Sequence, residues 1–288
     1  MDYTIYMRQK LLVAVSGGVD SVVLLDILAK SGRYDLTVAH FDHGIRPDSA
    51  ADARFVEGLA AQHELPFIGK REELGNDASE ERARNARYDF LFHEARKLNA
   101  TLATAHHLDD VVESIAINIL RGTGWRGLAV LGRAGVVRPL IGKTKSEIRH
   151  YALEHRLEWV EDATNAGGKY LRNRLRKLVS SRIVIAKKLQ LAKLRETQMV
   201  LKKEIDSECE RLLTSPPYSR YFFTSIDPKT ARELLRAAVM VKTGRSATRP
   251  QLERALIAIK TAKPRSAYDI GGGVRLVFTL RTFVVETL

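Results

Sequence analysis

Two clusters in this chain combine hydroxyls, carboxylates, imidazoles and glycines at spacings that suit chemistry on a phosphate group. In Ser16-Gly17-Gly18-Val19-Asp20-Ser21, the glycines let backbone amides approach phosphate oxygens without an intervening Cβ, and the serines supply hydroxyl donors. The stretch 104–114, TAHHLDDVVES, packs His106, His107, Asp109, Asp110 and Glu113 into one turn and its lead-in. Asp110 and Glu113 are three apart and Asp109 and Glu113 four apart, so one helix face can carry them. Such carboxylates either hold Mg²⁺ together with substrate phosphates or bind a cation such as an amine.

Three further segments are rich in chemistry-bearing side chains. In 79–91, SEERARNARYDFL, Ser79 is placed as an N-cap, and Arg84 with Arg87 forms a paired guanidinium face suited to phosphate or a nucleobase plane. In 40–52, His40, Asp42, His43 and Arg46 precede a capped helix. In 161–179, EDATN leads into the densest arginine cluster, Arg172, Arg174 and Arg176.

The elements that must position these residues follow from hydrophobic period. Leu11 to Val15 is an apolar run without polar alternation, as in a parallel strand buried on both faces. From Asp20 the apolar residues adopt a helical period, with Asp20 or Ser21 expected to cap the first turn. The glycine loop therefore joins a strand's carboxyl end to a helix's amino end, where an open α/β sheet collects ligands and unpaired N–H groups favour anions. The loop lacks the Gly-Lys-Ser/Thr ending of the Walker loop. With no lysine to reach a terminal phosphate, it points away from kinases and motor ATPases, toward reaction at the α-phosphate with release of pyrophosphate.

Strands alternate with helices over the first 160 residues, which indicates an α/β fold with a doubly wound parallel sheet. The expected organisation is a catalytic domain over 1–180, a basic linker helix over 181–215 and a small α+β domain over 216–288, made of two helices and a closing hairpin. At 288 residues and 45% hydrophobic content the chain holds a real core. Its single cysteine, Cys209, excludes intrachain disulfides and Cys-x-x-Cys sites and fits a reducing compartment. With no run of 18 apolar residues and no signal-like amino terminus, a soluble cytoplasmic protein without membrane partners is expected.

The net charge of +13 is concentrated. Between Leu171 and Lys203, eleven basic residues face Glu196 alone, a local +10 that reads as a polyanion footprint, with nucleic acid the commonest cytoplasmic polyanion.

SGGVDS (16–21), DHGIRPDS (42–49), SEERARNARY (79–88), AHHLDDVVES (105–114), RGTGWRGL (121–128), RPLI (138–141) and EDATN with RNRLR (161–176) together resemble the tRNA(Ile)-lysidine synthetase family, a branch of the N-type ATP pyrophosphatases. The resemblance covers about two-thirds of the chain in order, and GGGVRLVFTLRTFVV is similar to the family's small carboxyl-terminal domain. Val111 and Ser114 depart from the family's usual glutamine and threonine. The resemblance implies an adenine nucleotide α-hydrolase-like fold and ATP bound by Ser16 to Ser21. It implies catalytic roles for Asp20, Asp110 and Glu113, with Mg²⁺ at Asp20 and Asp110 and free L-lysine at Asp110 and Glu113. It places tRNA with a CAU anticodon on Arg84, Arg87, Arg172, Arg174, Arg176 and the 216–288 domain. The family often forms dimers, so a homodimer stays open. The competing functions are another RNA-modifying ATP pyrophosphatase, such as a tRNA thiolase, and a non-catalytic RNA-binding relative.

Overall fold

A computed structural model describes residues 8–44, 49–73, 75, 79–161, 183–213, 215–244 and 246–288. The chain divides into two compact units, residues 1–196 and 197–288.

The first unit is built on strands β1 (Gln9–Ala14), β2 (Tyr34–Asp42), β3 (Phe67–Arg71), β4 (Thr101–Ala103) and β5 (Val136–Val137), all parallel in the order β3-β2-β1-β4-β5. Helices α1 (Val19–Ser31), α2 (Ser49–Gln62), α3 (Glu80–Lys97), α4 (Leu108–Leu120) and α5 (Lys145–Glu154) connect or follow them. The doubly wound reading of the sequence is therefore correct. Because strand side chains alternate, Leu11 and Val13 of β1 enter an apolar cluster with α1, α2 and α5, while Leu12 enters another with α3. Burial on both faces is why β1 reads as an uninterrupted apolar run.

Strand order fixes the location of the site. From β1 the chain winds outward through β2 and β3, then returns to the other side of β1 with β4. The gap between β1 and β4 is the topological switch point, beyond whose carboxyl ends ligands bind in open α/β sheets. Val13 pairs in register with Ala103, so the loop after β1 and the loop after β4 leave the sheet side by side.

In the second unit, two helices, Pro228–Thr243 and Arg249–Thr261, pack on an antiparallel sheet in the order β6-β9-β8-β7: β6 (Tyr218–Ser219), β7 (Ala267–Asp269), β8 (Val274–Phe278) and β9 (Thr282–Thr287). Leu234, Leu235, Ile259, Phe278 and Phe283 are fully buried there. The α+β reading holds, with two short strands added to the expected hairpin. A helix, Ile185–Leu212, supplies residues to both units. Among the described residues no helix is long and apolar enough to cross a membrane.

Candidate functional site

The loop after β1 is held by its own hydroxyls. Ser21 Oγ accepts from Ser16 N at 3.1 Å and donates to Gly18 O at 2.8 Å, drawing the loop into a tight turn. Gly17 has φ +89°, a conformation L side chains rarely adopt, and its carbonyl accepts from Val160 N at 3.0 Å. One expectation is corrected here: Gly18 is the N-cap of α1, and neither Asp20 nor Ser21 caps the helix, because Ser21 is spent on the loop. No side chain caps this first turn, so its backbone amides stay directed at the cleft.

Asp20 is engaged by a residue that sequence reasoning missed. Lys145, the first residue of α5, donates from Nζ to both carboxylate oxygens of Asp20 at 2.6 and 2.7 Å. Its backbone N donates to Asp109 Oδ2 at 2.8 Å, and the other Asp109 oxygen accepts from Lys188 Nζ. Asp109 and Lys188 are buried, 5% and 7% exposed. Burial works to raise the Asp109 pKa, but the bonds from Lys188 and Lys145 outweigh it and hold the carboxyl below its ordinary range. Asp109 thus anchors the start of α4 rather than joining Asp110 and Glu113 as a ligand group.

At that start, Asp110 Oδ2 accepts from His107 N at 2.9 Å, closing a capping box. The His107 ring lies 3.6 Å from Asp110 and 3.8 Å from Asp20, bridging the two loops. Glu113, one turn along, is 2% exposed yet lines the cleft. His106 hydrogen-bonds Thr104 Oγ1 at 2.9 Å; burial first, then Arg138, Arg87 and Arg84, push its pKa down to about 4 against the upward pull of Asp110. It is neutral at pH 7. His43 is also lowered, by burial and then by Arg87.

Ser16, Gly18, Val19, Asp20, Ser21, Asp110, Glu113 and Arg87 line one open cleft of about 950 Å³, shared with Lys145 and the four histidines 40, 43, 106 and 107. Arg84 stands beside Arg87 with its guanidinium 5.7 Å from the Tyr88 ring, as Arg87's is, but does not line the cleft. Asp42 is occupied locally, accepting from Gly44 N at 2.8 Å. Arg46, Arg172, Arg174 and Arg176 lie outside the described residues. The +10 segment is not wholly a solvated footprint: Lys188 is buried on Asp109, and Arg195, 8% exposed, donates to Val130 O at 2.8 Å.

Among the described residues no group of three or more His, Cys, Asp or Glu side chains converges as a metal site. An ion held chiefly by phosphate oxygens and water needs only one or two carboxylates. Asp20 and Asp110, hard oxygen donors on the same cleft, fit Mg²⁺ of that kind. Lys145 was detectable only as part of TKSE, a capped helix start, in which Thr144 and Glu147 form a capping box. Nothing local marks its side chain as reaching α1.

A family model described as "PP-loop domain" matches residues 3–183. A protein of Solibacter usitatus named tRNA(Ile)-lysidine synthase is 43% identical over 169 residues, covering 57% of this chain and 38% of that protein. One of the same name from Thermus thermophilus is 37% identical over 260 residues, covering 86% of this chain and 49% of that protein. The chain therefore spans half or less of the length of these curated relatives. Among solved structures, the U34-tRNA thiolase NcsA of Methanococcus maripaludis, with its [4Fe-4S] cluster, superimposes with a TM-score of 0.56 at 18% identity, covering 69% of this chain and 74% of that one. That likeness concerns the fold.

Proposed function

The chain belongs to the PP-loop family, in the group of the tRNA(Ile)-lysidine synthases, and from that premise we propose that it joins free L-lysine to the anticodon cytidine of a CAU-anticodon tRNA(Ile) at the expense of ATP. The C2 carbonyl oxygen of the cytidine attacks the α-phosphate, and pyrophosphate leaves. The ε-amine of lysine then attacks C2 and displaces AMP, giving lysidine. Adenylation turns a poor leaving oxygen into a good one, and holding the partners in one cleft removes much of the entropic barrier.

The observation that carries this reading is the meeting of the Ser16–Ser21 loop and the Asp110–Glu113 turn at the β1/β4 switch point. In it, the loop from Ser16 to Ser21 binds the phosphates of ATP through backbone amides of the α1 start and the Ser16 hydroxyl, while the Ser21 hydroxyl, donated to Gly18 O, holds the loop in shape. Mg²⁺, when bound, supplies charge neutralisation there, and Asp20 and Asp110 are the carboxylates that would hold it. Lysine carries two ammonium groups, for which the acidic pocket of Glu113 and Asp110 is complementary. Arg84, Arg87, Arg172, Arg174 and Arg176, with residues 216–288, are assigned to the tRNA. The enzyme is placed in the cytoplasm, where its RNA and amino-acid substrates are, and as a homodimer by resemblance alone.

The thiolase alternative is disfavoured by Cys209, which is 5% exposed in the core of the second unit and not at the cleft. The test is incubation with ATP, Mg²⁺, labelled lysine and CAU-anticodon tRNA(Ile). Label appearing in tRNA with matching AMP release is the expected result. Pyrophosphate release without lysine incorporation would favour another RNA modification, and neither product would leave an RNA-binding protein without this activity.

A further inference from the structure

We propose that Asp26 is a positioning residue of the nucleotide site: through the Tyr151 hydroxyl it fixes the register of α5 against α1, and with it the height at which the first turn of α5 meets the cleft. This rests on ATP being the ligand of the Ser16–Ser21 loop, and it adds a determinant that lies outside that loop.

Two polar contacts join these helices at the same offset in sequence. Lys145 meets Asp20 and Tyr151 meets Asp26, each pair 125 residues apart, with Tyr151 Oη donating to Asp26 Oδ2 at 2.8 Å. Because both contacts share that offset, α1 and α5 run parallel and side by side, with both amino ends at the cleft and the second contact about 9 Å below the first. The upper contact lies in the cleft wall, where the Asp20 and Lys145 side chains are 30% and 38% exposed, and ion pairs so open to water hold little. The lower contact is interior. Asp26 is 3% exposed, on a helix whose other buried residues from Val22 onward are apolar.

Apolar packing does not set this register by itself. Ile148 and Ala152 of α5 share a cluster with Val22 and Leu25 of α1, and such burial is non-directional. A carboxylate in that interior costs desolvation that an apolar side chain would avoid, so Asp26 is a weak device for stability as such. What it adds is direction. Its partner Lys30 lies on its own helix, 2.9 Å away and half exposed, and neutralises the charge without reaching α5. The Tyr151 hydroxyl crosses between the helices. Tyr151 is itself held, its ring stacked on His155 with centroids 3.8 Å apart, and burial and then Asp26 push its pKa up to about 12, so it stays a donor at neutral pH. Slipping α5 by one residue along α1 would move its first turn by about 1.5 Å, enough to disrupt the bonds from Lys145 N to Asp109 and from Lys145 Nζ to Asp20 that shape the cleft.

Calorimetric titration of the whole chain with ATP separates positioning from bulk stability, because misplacement raises Kd at full stoichiometry whereas a destabilised chain loses binding sites. One hydrogen bond can bias the registered state by no more than its own net free energy, so Tyr151→Phe and the double variant Asp26→Leu/Tyr151→Phe should weaken ATP by about 3- to 10-fold with stoichiometry unchanged. The apolar double variant should meanwhile keep a urea midpoint at or above that of wild type. Asp26→Asn, which still accepts from the Tyr151 hydroxyl, should bind ATP within about 2-fold of wild type. A folded double variant with wild-type affinity, sites lost at unchanged Kd, or Asp26→Asn no better than Tyr151→Phe would overturn the positioning role while leaving the proposed function standing. Failure of the wild type to bind ATP would overturn both.

Discussion

Replacing Lys188 by methionine leaves the carboxylate of Asp109 in the interior with its ammonium partner gone. Both side chains are nearly inaccessible, so water cannot take the vacated place cheaply. Breaking a buried ion pair by removing one member costs about 3–5 kcal/mol, because the remaining charge is stranded. Asp109 keeps one hydrogen bond from Lys145 N, worth about 1–1.5 kcal/mol net, so the expected loss for Lys188→Met is about 2–4 kcal/mol. The double variant Asp109→Asn/Lys188→Met removes both charges at similar volume and should recover most of that loss, to within about 1 kcal/mol of wild type. Urea denaturation of wild type, Asp109→Asn, Lys188→Met and the double variant, followed by circular dichroism, reads these values as shifts in midpoint. Acid adds a second readout. The Asp109 carboxyl titrates lower in the folded chain than its ordinary 3.8, so its ionised form stabilises the fold fully above that value and the contribution fades as pH falls through the folded pKa. The gap between wild type and Lys188→Met should therefore narrow below pH 3.8. A single variant less than about 1 kcal/mol weaker than wild type, or a double variant as unstable as the sum of the singles, would refute a charge-stranding account.

Gly17→Ala should destabilise the chain by about 1–2 kcal/mol through backbone conformation. Steric crowding is not the cause, since the added Cβ would meet its nearest neighbours at 3.5 Å or more; a thermal midpoint equal to wild type would contradict this. Glu113→Gln should raise the lysine requirement by about one to two orders of magnitude with ATP affinity nearly intact. Loss of ATP binding with lysine dependence retained would move Glu113 to the metal site. Replacing Arg172, Arg174 and Arg176 together by alanine should weaken tRNA binding and flatten its dependence on salt, and an unchanged slope would mark the cluster as a solvated face.

The amino-acid sequence by itself determined the parts of the site that depend on near neighbours. An apolar run, two glycines and a resumed helical period specify a strand, a loop able to take φ of +89° at Gly17, and a helix start, because each is decided within a few residues. The same holds for Ser79, which accepts from Arg82 N at 3.2 Å as the N-cap of α3, and for Asp110 and Glu113 sharing a turn of α4. Where local options competed, sequence did not choose between them: Ser21 was equally placed to cap α1 or to tie the loop, and the nearby Ser16 amide drew it to the loop. The two-residue strands β5 and β6 carry too few residues to show a period.

What tertiary structure alone decided is which distant charges meet. Asp20 and Lys145, Asp109 and Lys188, and the two loops at the β1/β4 gap are joined by strand order and by the placement of α5 and of residues 185–196 within the first unit. Lysines spaced along a basic stretch read alike in sequence, yet one is buried on Asp109, and Lys193, five residues on, is exposed. A lysine's pairing follows from its depth and from what the fold brings opposite it. Both are properties of the folded chain, since desolvation and charge–charge attraction act through space and not along the backbone.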